Sequence, residues 1–525
     1  VTWPWLAPER LREERHFDGR VLPCYVDRPR SLYALFAASL ALGPDRECIV
    51  GDGMRLTWRE ADRLAGEAAA ALAQAGIRPG DRVALLLPNR PEFLVLVLAC
   101  ARLGAIAVPL GTRNRPAELQ PMLEDCGAAA LVHDAELAAN VPDRGRLPAL
   151  RRIWSLGAAL TTEPGDLFAA GGSVEPAAVA EEDTAVILYT SGTTGRPKGA
   201  MLTHLGIVHS AINFATCVGL RPEDRAVLTV PASHVTGLVG VVATMLRAGG
   251  CTVLMRAFKA RDFLAVAADE RLSYTILVPA QYGLCLLEPE LDRFDLSSWR
   301  IGCFGGAPMP EATIAALAEH LPGLTLVNGY GATETTSPSS ITPPGHIAGH
   351  ADSIGQAVPG CTVRIVGEDG RDVPPGAPGE LWIKGPHVVP GYWNRPDANA
   401  AEFTAGFWHS GDIGSIDEAG WLRVFDRKKD MINRAGFKVY SAEVENVLSH
   451  HPAVIESAVV GVPDAILGER VRAVVHARAA VTPAELRAFC ADRLADYKVP
   501  EIVDLSPEPL PRNANGKLQK AKLRG

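Results

Sequence analysis

The sequence predicts an α/β protein: a large N-terminal domain of doubly wound sheets plus a small β-barrel-like part, then a small C-terminal α+β lid. Three observations carry this. Between Asp81 and Val327 short apolar strands alternate with amphipathic helices, the pattern of a parallel sheet covered on both faces. From about Gly360 the texture changes to short β runs and turns. Past Asp426 a separate β/α pattern runs to the end of the chain. At 525 residues the chain exceeds what one hydrophobic core usually serves, so two domains are expected, 1–427 and 428–525.

Taken in order, an irregular start leads to Thr57-Trp-Arg-Glu60, a capping box that opens an Ala-rich helix ending near Gly76. Strand Asp81–Leu87, helix Glu92–Leu103 and strand Ala105–Leu110 follow, then a helix near Ala117–Asp125 and strand Ala129–His133. Residues 135–183 lack sustained periodicity and read as surface connections. After strand Ala185–Leu188 come helix Leu205–Cys217, strand Ala226–Val230, helix Leu238–Arg247 and strand Cys251–Met255. Helix Ala260–Arg271, strands Tyr274–Val278 and Arg300–Phe304, helix Glu311–His320 and strand Leu324–Val327 complete the alternation. Thr362–Val366 and Glu380–Lys384, with the turn at Glu368-Asp-Gly370, suggest a small antiparallel sheet or barrel. In the lid, Ser441 is expected to cap a helix whose first turn holds Glu443 and Glu445, where the helix dipole favours acids. Strands near Ile455–Val460 and Arg470–Ala477 precede a second capping box, Thr482-Pro-Ala-Glu485.

Bulk composition narrows the function classes. A net charge of −8 argues against a nucleic-acid footprint, so anionic ligands must be met by local cations. The ten cysteines are scattered, without a C-x-x-C pair or metal-ligand spacing, and read as reduced thiols of a cytoplasmic protein. The N-terminus lacks the apolar core of a signal peptide. The most apolar segment, Phe93–Leu110, is broken by Arg102 and Pro109, so no transmembrane segment is expected.

Chemistry concentrates in Tyr189-Thr-Ser-Gly-Thr-Thr-Gly-Arg-Pro-Lys-Gly199. The hydroxyls of Thr190, Ser191, Thr193 and Thr194, the glycines Gly192 and Gly195, and the cation Lys198 suit a phosphate cradle. Glycine lets backbone N–H groups turn inward around an anion, and the side chains add donors and charge. It is not the common phosphate loop, because Arg196 and Pro197 separate Gly195 from Lys198. Gly305, Gly306 and Ala307 end a predicted strand, where open α/β sheets bind ligands and a glycine pair admits a flat ring. Taken alone it is an ordinary strand-to-helix turn. Asn328-Gly-Tyr-Gly-Ala-Thr-Glu334 also ends a strand; Glu334 offers the hard oxygen Mg²⁺ prefers and Thr333 a phosphate-facing hydroxyl. His234 by itself is more often a satisfied structural histidine, and Lys517, close to the C-terminus, more often a solvated one.

The T-S-G-T-T-G-x-P-K-G loop closely resembles the nucleotide loop of the adenylate-forming superfamily, and the remaining motifs follow in that superfamily's order. The resemblance implies an acyl-CoA synthetase or aryl-CoA ligase using ATP, Mg²⁺ and coenzyme A on a small-molecule carboxylic acid, with a mobile lid. It leaves a homodimer open. By resemblance His234 is the gate beside the acyl carboxylate, Ala307 lies along the adenine, Tyr330 stacks on it, and Thr333 meets the α-phosphate. Glu334 would hold the metal, Asp412 and Arg427 the ribose, and Lys429 would be the hinge. Lys517 would reach the acid and the α-phosphate, and Gly436 would flank the pantetheine arm. Val235, Thr236, Gly240, Gly331 and Ser337, with Gly305, would line the acyl pocket. All are small and uncharged, so an apolar medium-chain or aryl acid is favoured. Ser441 stands where close relatives often have proline. An acyl-AMP ligase loading a carrier protein and a luciferase-like monooxygenase share the nucleotide motifs and are the alternatives.

Overall fold

The computed structural model describes residues 10–17, 19–157, 167–168, 171–190, 197–307, 309–435, 437–512 and 518–524. The chain divides into two units. The first comprises Val1–Met309, Thr313–Val363 and Ile383–Trp408; the second comprises Pro310–Ala312, Arg364–Trp382 and His409–Gly525.

Among the described residues, the first unit is organised on two large sheets, besides a two-stranded one. One is six-stranded, in the spatial order Lys198–Thr203, Thr184–Thr190, Ile106–Pro109, Arg82–Leu86, Ala130–Asp134, Arg152–Leu156. It is parallel except for the Lys198–Thr203 edge. In the other, Thr325–Tyr330, Ile301–Phe304, Tyr274–Leu277, Arg225–Leu228, Cys251–Leu254 and Glu47–Gly51 lie side by side in parallel. Two helices are buried along nearly their whole length, Pro91–Leu103 and His204–Cys217. A helix buried on all sides needs protein around it. One continuous core supplies it, joining Val83, Leu85 and Ala107 of the first sheet to Leu228, Ile276 and Cys303 of the second. The fold class is mixed α/β, with the large sheet region N-terminal.

Several expectations meet the structure directly. Thr57 and Glu60 form a reciprocal capping box on helix Trp58–Gln74, and Thr482 and Glu485 form another on Pro483–Ala491. All ten cysteines are free of disulfides, and all but Cys361 are buried. No helix among the described residues is long and apolar enough to cross a membrane.

Other expectations are corrected. The irregular start contains a hairpin, Leu11–His16 against Arg20–Tyr25, whose charged side chains hid it. Glu14 is held by the buried Arg28 guanidinium at 2.7 Å. Within 135–183, Arg152–Leu156 is a strand that pairs in parallel with Ala130–Asp134. At the sheet edge only its Trp154 is buried, so it shows no apolar run. The expected helix Leu238–Arg247 is instead a π-helix, Thr236–Ala243, continued by a short α-helix, Thr244–Ala248. Uniformly apolar Gly-Leu-Val-Gly-Val-Val-Ala carries no periodicity to tell the two apart. Thr244 Oγ1 donates to the Val239 carbonyl, five residues back, at 2.8 Å.

The strands Thr362–Val366, Gly379–Lys384, Phe407–Ile416 and Trp421–Arg427 are successive neighbours, and the second unit takes Arg364–Val366, Gly379–Trp382, His409–Ile416 and Trp421–Arg427 from them. It also holds a sheet built on the long antiparallel pair Val454–Asp464 and Gly468–Ala477. Val444 and Leu448 of helix Ser441–Ser449 and Leu486 of Pro483–Ala491 fill that sheet's core with Val459 and Val471. Ser441 is not the cap. Tyr440 occupies that position without a side-chain bond, and Ser441 is the first helical residue. Its N–H donates to Asp426 Oδ2 and its hydroxyl accepts from Lys520 Nζ at 2.6 Å. A proline there has no N–H to give, so the serine has a positive reason.

His387 is fully buried, with neither ring nitrogen paired among the described residues. Burial lowers its pKa from 6.5 to about 4. Between those values only the unfolded chain takes up this proton, so stability falls as pH falls. The loss from this one group is about 2 kcal/mol between pH 7 and pH 5. Urea unfolding of His387→Met should show a correspondingly shallower decline over that interval; an equal decline would mean that the ring is not neutral in the fold.

Candidate active site

The nucleotide loop is spanned by a hairpin. Strand Thr184–Thr190 pairs antiparallel with Lys198–Thr203, with Thr190 opposite Lys198. Thr190 Oγ1 lies 3.4 Å from the Lys198 carbonyl. Helix His204–Cys217 begins only after the second strand, so strands and not a helix stand on either side of residues 191–196. Ser191, Gly192, Thr193, Thr194 and Gly195 lie outside the described residues.

Lys198 is buried, and its Nζ lies 2.5 Å from Glu402 Oε1 and 4.4 Å above the Tyr392 ring. The Tyr392 hydroxyl stands 2.7 Å from Glu402 Oε2 and 2.9 Å from Glu334 Oε1. A phenol has one proton and can donate to only one of these carboxylates. Burial pushes the Glu334 carboxyl above its ordinary pKa, with Lys198 and the tyrosine opposing. Two carboxyl groups, Glu334 buried and Glu402 one-third exposed at 33%, thus share a cluster with one buried ammonium, an oxygen-rich site. That donor set fits a hard divalent cation.

Tyr392 and Glu402 carry no local sequence signal for this role. Glu402 and Lys198 are 204 residues apart, and Pro390-Gly-Tyr-Trp-Asn394 reads simply as a turn. Only the fold unites them.

Thr333 and Glu334 sit on a 3₁₀ turn, Thr333–Thr335, closed by Thr335 Oγ1, which accepts from the Ala332 N–H at 3.0 Å. The next two residues, Thr336 and Ser337, take φ of +50° and +36°. Non-glycine residues in that region store strain, which clusters at functional sites. Glycines admit close approach nearby. A Cβ on Gly305 would lie 2.4 Å from the Gly329 carbonyl oxygen, and one on Gly331 would lie 2.9 Å from Ser337 Oγ. Gly306 has φ +77°, and Ala307 is exposed at the strand end. Tyr330 packs on the cluster of Ile383, Val388 and Trp408. His234 is half-buried just before Val235, which is buried at the start of the π-helix. Thr236 is half-buried, and Gly240 lies against Ile276, where a Cβ would meet Cδ1 at 2.8 Å.

In the second unit Asp412 and Arg427 are opposite one another on adjacent strands, with Arg427 Nε 3.5 Å from Asp412 Oδ1. Lys429 is exposed, and its carbonyl accepts from Arg524 Nη2 at 2.8 Å. Gly436 and Lys517 lie outside the described residues.

Residues 36–393 match the AMP-binding enzyme family, and residues 443–517 match the AMP-binding enzyme C-terminal domain. This chain belongs to the AMP-binding enzyme family. A feruloyl-CoA synthase of Amycolatopsis sp. is 37% identical to this AMP-binding enzyme over 485 residues, covering 92% of this chain and 96% of that one. The indoleacetate–CoA ligase of Aromatoleum aromaticum is 36% identical over 500 residues, covering 92% and 95%. Among solved structures, the anthranilate CoA ligase AuaEII with anthranoyl-AMP superposes with a TM-score of 0.88 at 26% identity, over 95% of this chain and 97% of that one. The o-succinylbenzoate CoA synthetase of Bacillus subtilis with ATP and magnesium gives 0.82 at 31% identity, over 94% and 99%.

Proposed function

We propose that this AMP-binding enzyme is an ATP-dependent acid–thiol ligase, forming acyl-CoA from a carboxylic acid and coenzyme A through an acyl-adenylate. The observation that carries the reading is the largely buried Lys198–Glu402–Tyr392–Glu334 cluster, whose lysine lies on the second strand of the hairpin.

A carboxylate is a poor acyl donor because its leaving group would be oxide. Attack of its oxygen on the ATP α-phosphorus forms the acyl–phosphate bond and breaks the bond to pyrophosphate. The thiol of coenzyme A then adds to the acyl carbon, and AMP leaves with the former carboxylate oxygen. The first step brings two anions together, so fixed donors and cations lower its barrier. Glu334 would hold Mg²⁺, with Tyr392 and Glu402 orienting it; the bound ion would neutralise charge on the triphosphate. Thr190 and its loop bind phosphate, and Thr333 bonds the α-phosphate oxygens. Gly305, Gly306 and Ala307 leave room for the adenine, against which Tyr330 stacks. Asp412 and Arg427 grip the ribose, while His234 orients the acid. Residues 428–525 act as a lid turning at Lys429, so that Lys517 serves adenylation and withdraws before the thiol arrives. The acid is an apolar medium-chain or aryl one. A pyrophosphate-release screen over carboxylic acids, with and without coenzyme A, tests the reading; it fails if no acid elicits release.

The metal role has its own test. Glu334→Gln keeps the size and removes the charge a hard cation needs. Half-saturation by magnesium should move upward by about tenfold or more, with KM for the acid little changed, since a charged contact is worth about 1.5–3 kcal/mol. An unchanged magnesium dependence would remove Glu334 from the metal site.

A further inference from the structure

Tyr189 stands at the head of the nucleotide loop, yet nothing in the chemistry above uses its phenol. It lies on strand Thr184–Thr190, and its hydroxyl donates to Asp125 Oδ2 at 2.6 Å. Asp125 belongs to the last turn of helix Pro116–Cys126, 64 residues away, and both side chains are half-buried. Burial pushes the Asp125 carboxyl above its ordinary pKa, with the tyrosine hydroxyl and Arg395 opposing. A carboxylate withdrawn from water is costly unless a donor meets it, so the bond to Tyr189 is one the protein keeps.

That bond sits beside the cation of the site. Tyr189 is opposite Gly199, as Thr190 is opposite Lys198. The tyrosine ring lies where Gly199 has no side chain, since a Cβ there would stand 3.2 Å from the ring's Cζ. The other edge of strand Lys198–Thr203 is held by the turn that carries Tyr392. Trp393 N–H donates to the Gly199 carbonyl at 2.7 Å, and Met201 N–H to the Gly391 carbonyl at 3.2 Å. The turn then comes back to Asp125, whose carbonyl accepts from Asn394 Nδ2 at 2.9 Å. Asn394 holds φ at +50°, a strained conformation that persists only where the surroundings fix it. Asp125 therefore ties together both neighbours of the strand that carries Lys198. Its carboxylate holds Tyr189, and its carbonyl holds the turn of Tyr392.

We propose that Asp125 and Tyr189 are positioning residues for adenylation, Asp125 acting through Tyr189 to hold Thr190 and Lys198 where ATP and its metal bind. Neither touches a reacting atom. This rests on the acyl-CoA ligase reading and adds to it a clasp outside the nucleotide motifs.

The experiment follows ATP–pyrophosphate exchange with an accepted acid, and separately thioester formation from supplied acyl-adenylate. Tyr189→Phe and Asp125→Leu should each raise KM for ATP about tenfold, the scale of one hydrogen bond to a charged group. KM for the acid and thioester formation from acyl-adenylate should stay at wild-type values, because neither involves the triphosphate. Asp125→Asn keeps an oxygen that accepts the hydroxyl, so its KM for ATP should stay within about twofold of wild type. The double variant Tyr189→Phe/Asp125→Leu should be no worse than the worse single, because the two side chains act as one unit. A thermal melt accompanies each variant. If Asp125→Leu folds poorly, Tyr189→Phe, which removes only the hydroxyl, and Asp125→Asn carry the comparison. An unchanged KM for ATP in folded Tyr189→Phe overturns the proposal and leaves the ligase reading standing. So does a parallel loss in exchange and thioester formation, additive losses in the double variant, or an Asp125→Asn as impaired as Asp125→Leu. If no acid supports exchange with wild type, the ligase reading falls and takes this proposal with it.

Discussion

Lys517→Ala is expected to slow acyl-adenylate formation by about 10²–10³, the typical cost of one lost transition-state donor. Thioester formation from supplied acyl-adenylate should be largely spared. Charge develops on the α-phosphoryl oxygens only in the first step, so a cation delivered there is not required in the second. The next lysine along the chain cannot stand in. Lys520 is committed to Glu445 at 2.7 Å and to the Ser441 hydroxyl at 2.6 Å. Burial raises the pKa of Glu445, so removing its ammonium partner would leave an acid short of compensation. Single-turnover measurement of each half-reaction checks the split. Equal losses in both would mean that Lys517 does not serve adenylation alone.

Gly436→Leu should do the reverse, abolishing thioester formation even at high coenzyme A while leaving ATP–pyrophosphate exchange intact. The substitution puts a bulky side chain at a position that the family resemblance lays against the pantetheine arm. The competing account is a glycine kept for its backbone freedom alone. The preceding residue, Ala435, already holds φ at +51°, anchored by its N–H to the Leu467 carbonyl at 2.7 Å. A conformational fault would disturb the lid in both of its working poses and depress exchange and ligation together. A thermal melt separates the two, since backbone strain of about 1 kcal/mol would also lower Tm. Parallel loss of both half-reactions in a stably folded variant would refute the pantetheine assignment.

What could be read from sequence follows local signals. The capping boxes at Thr57 and Thr482 need only residues three apart, and both formed. The apolar strands Arg82–Leu86 and Ala130–Asp134 announce themselves because parallel strands are covered on both faces. Arg152–Leu156 does not, because an edge strand buries only one face and can be mostly polar. The π-helix escaped for a different reason: an all-apolar stretch has no polar face from which to read a period. At the site, Glu334 and Lys198 lay in motifs, whereas Tyr392 and Glu402 join them only through tertiary structure. Ser441 illustrates the same limit, since its value lies in Asp426 and Lys520, both distant in sequence.

The most direct test of the central claim is the product balance from ATP, an accepted acid and coenzyme A, followed by phosphorus NMR together with thioester absorbance. The account predicts AMP, pyrophosphate and acyl-CoA appearing in equal amounts, with acyl-AMP accumulating when coenzyme A is withheld. Formation of ADP and orthophosphate, or thioester made without AMP, would contradict it.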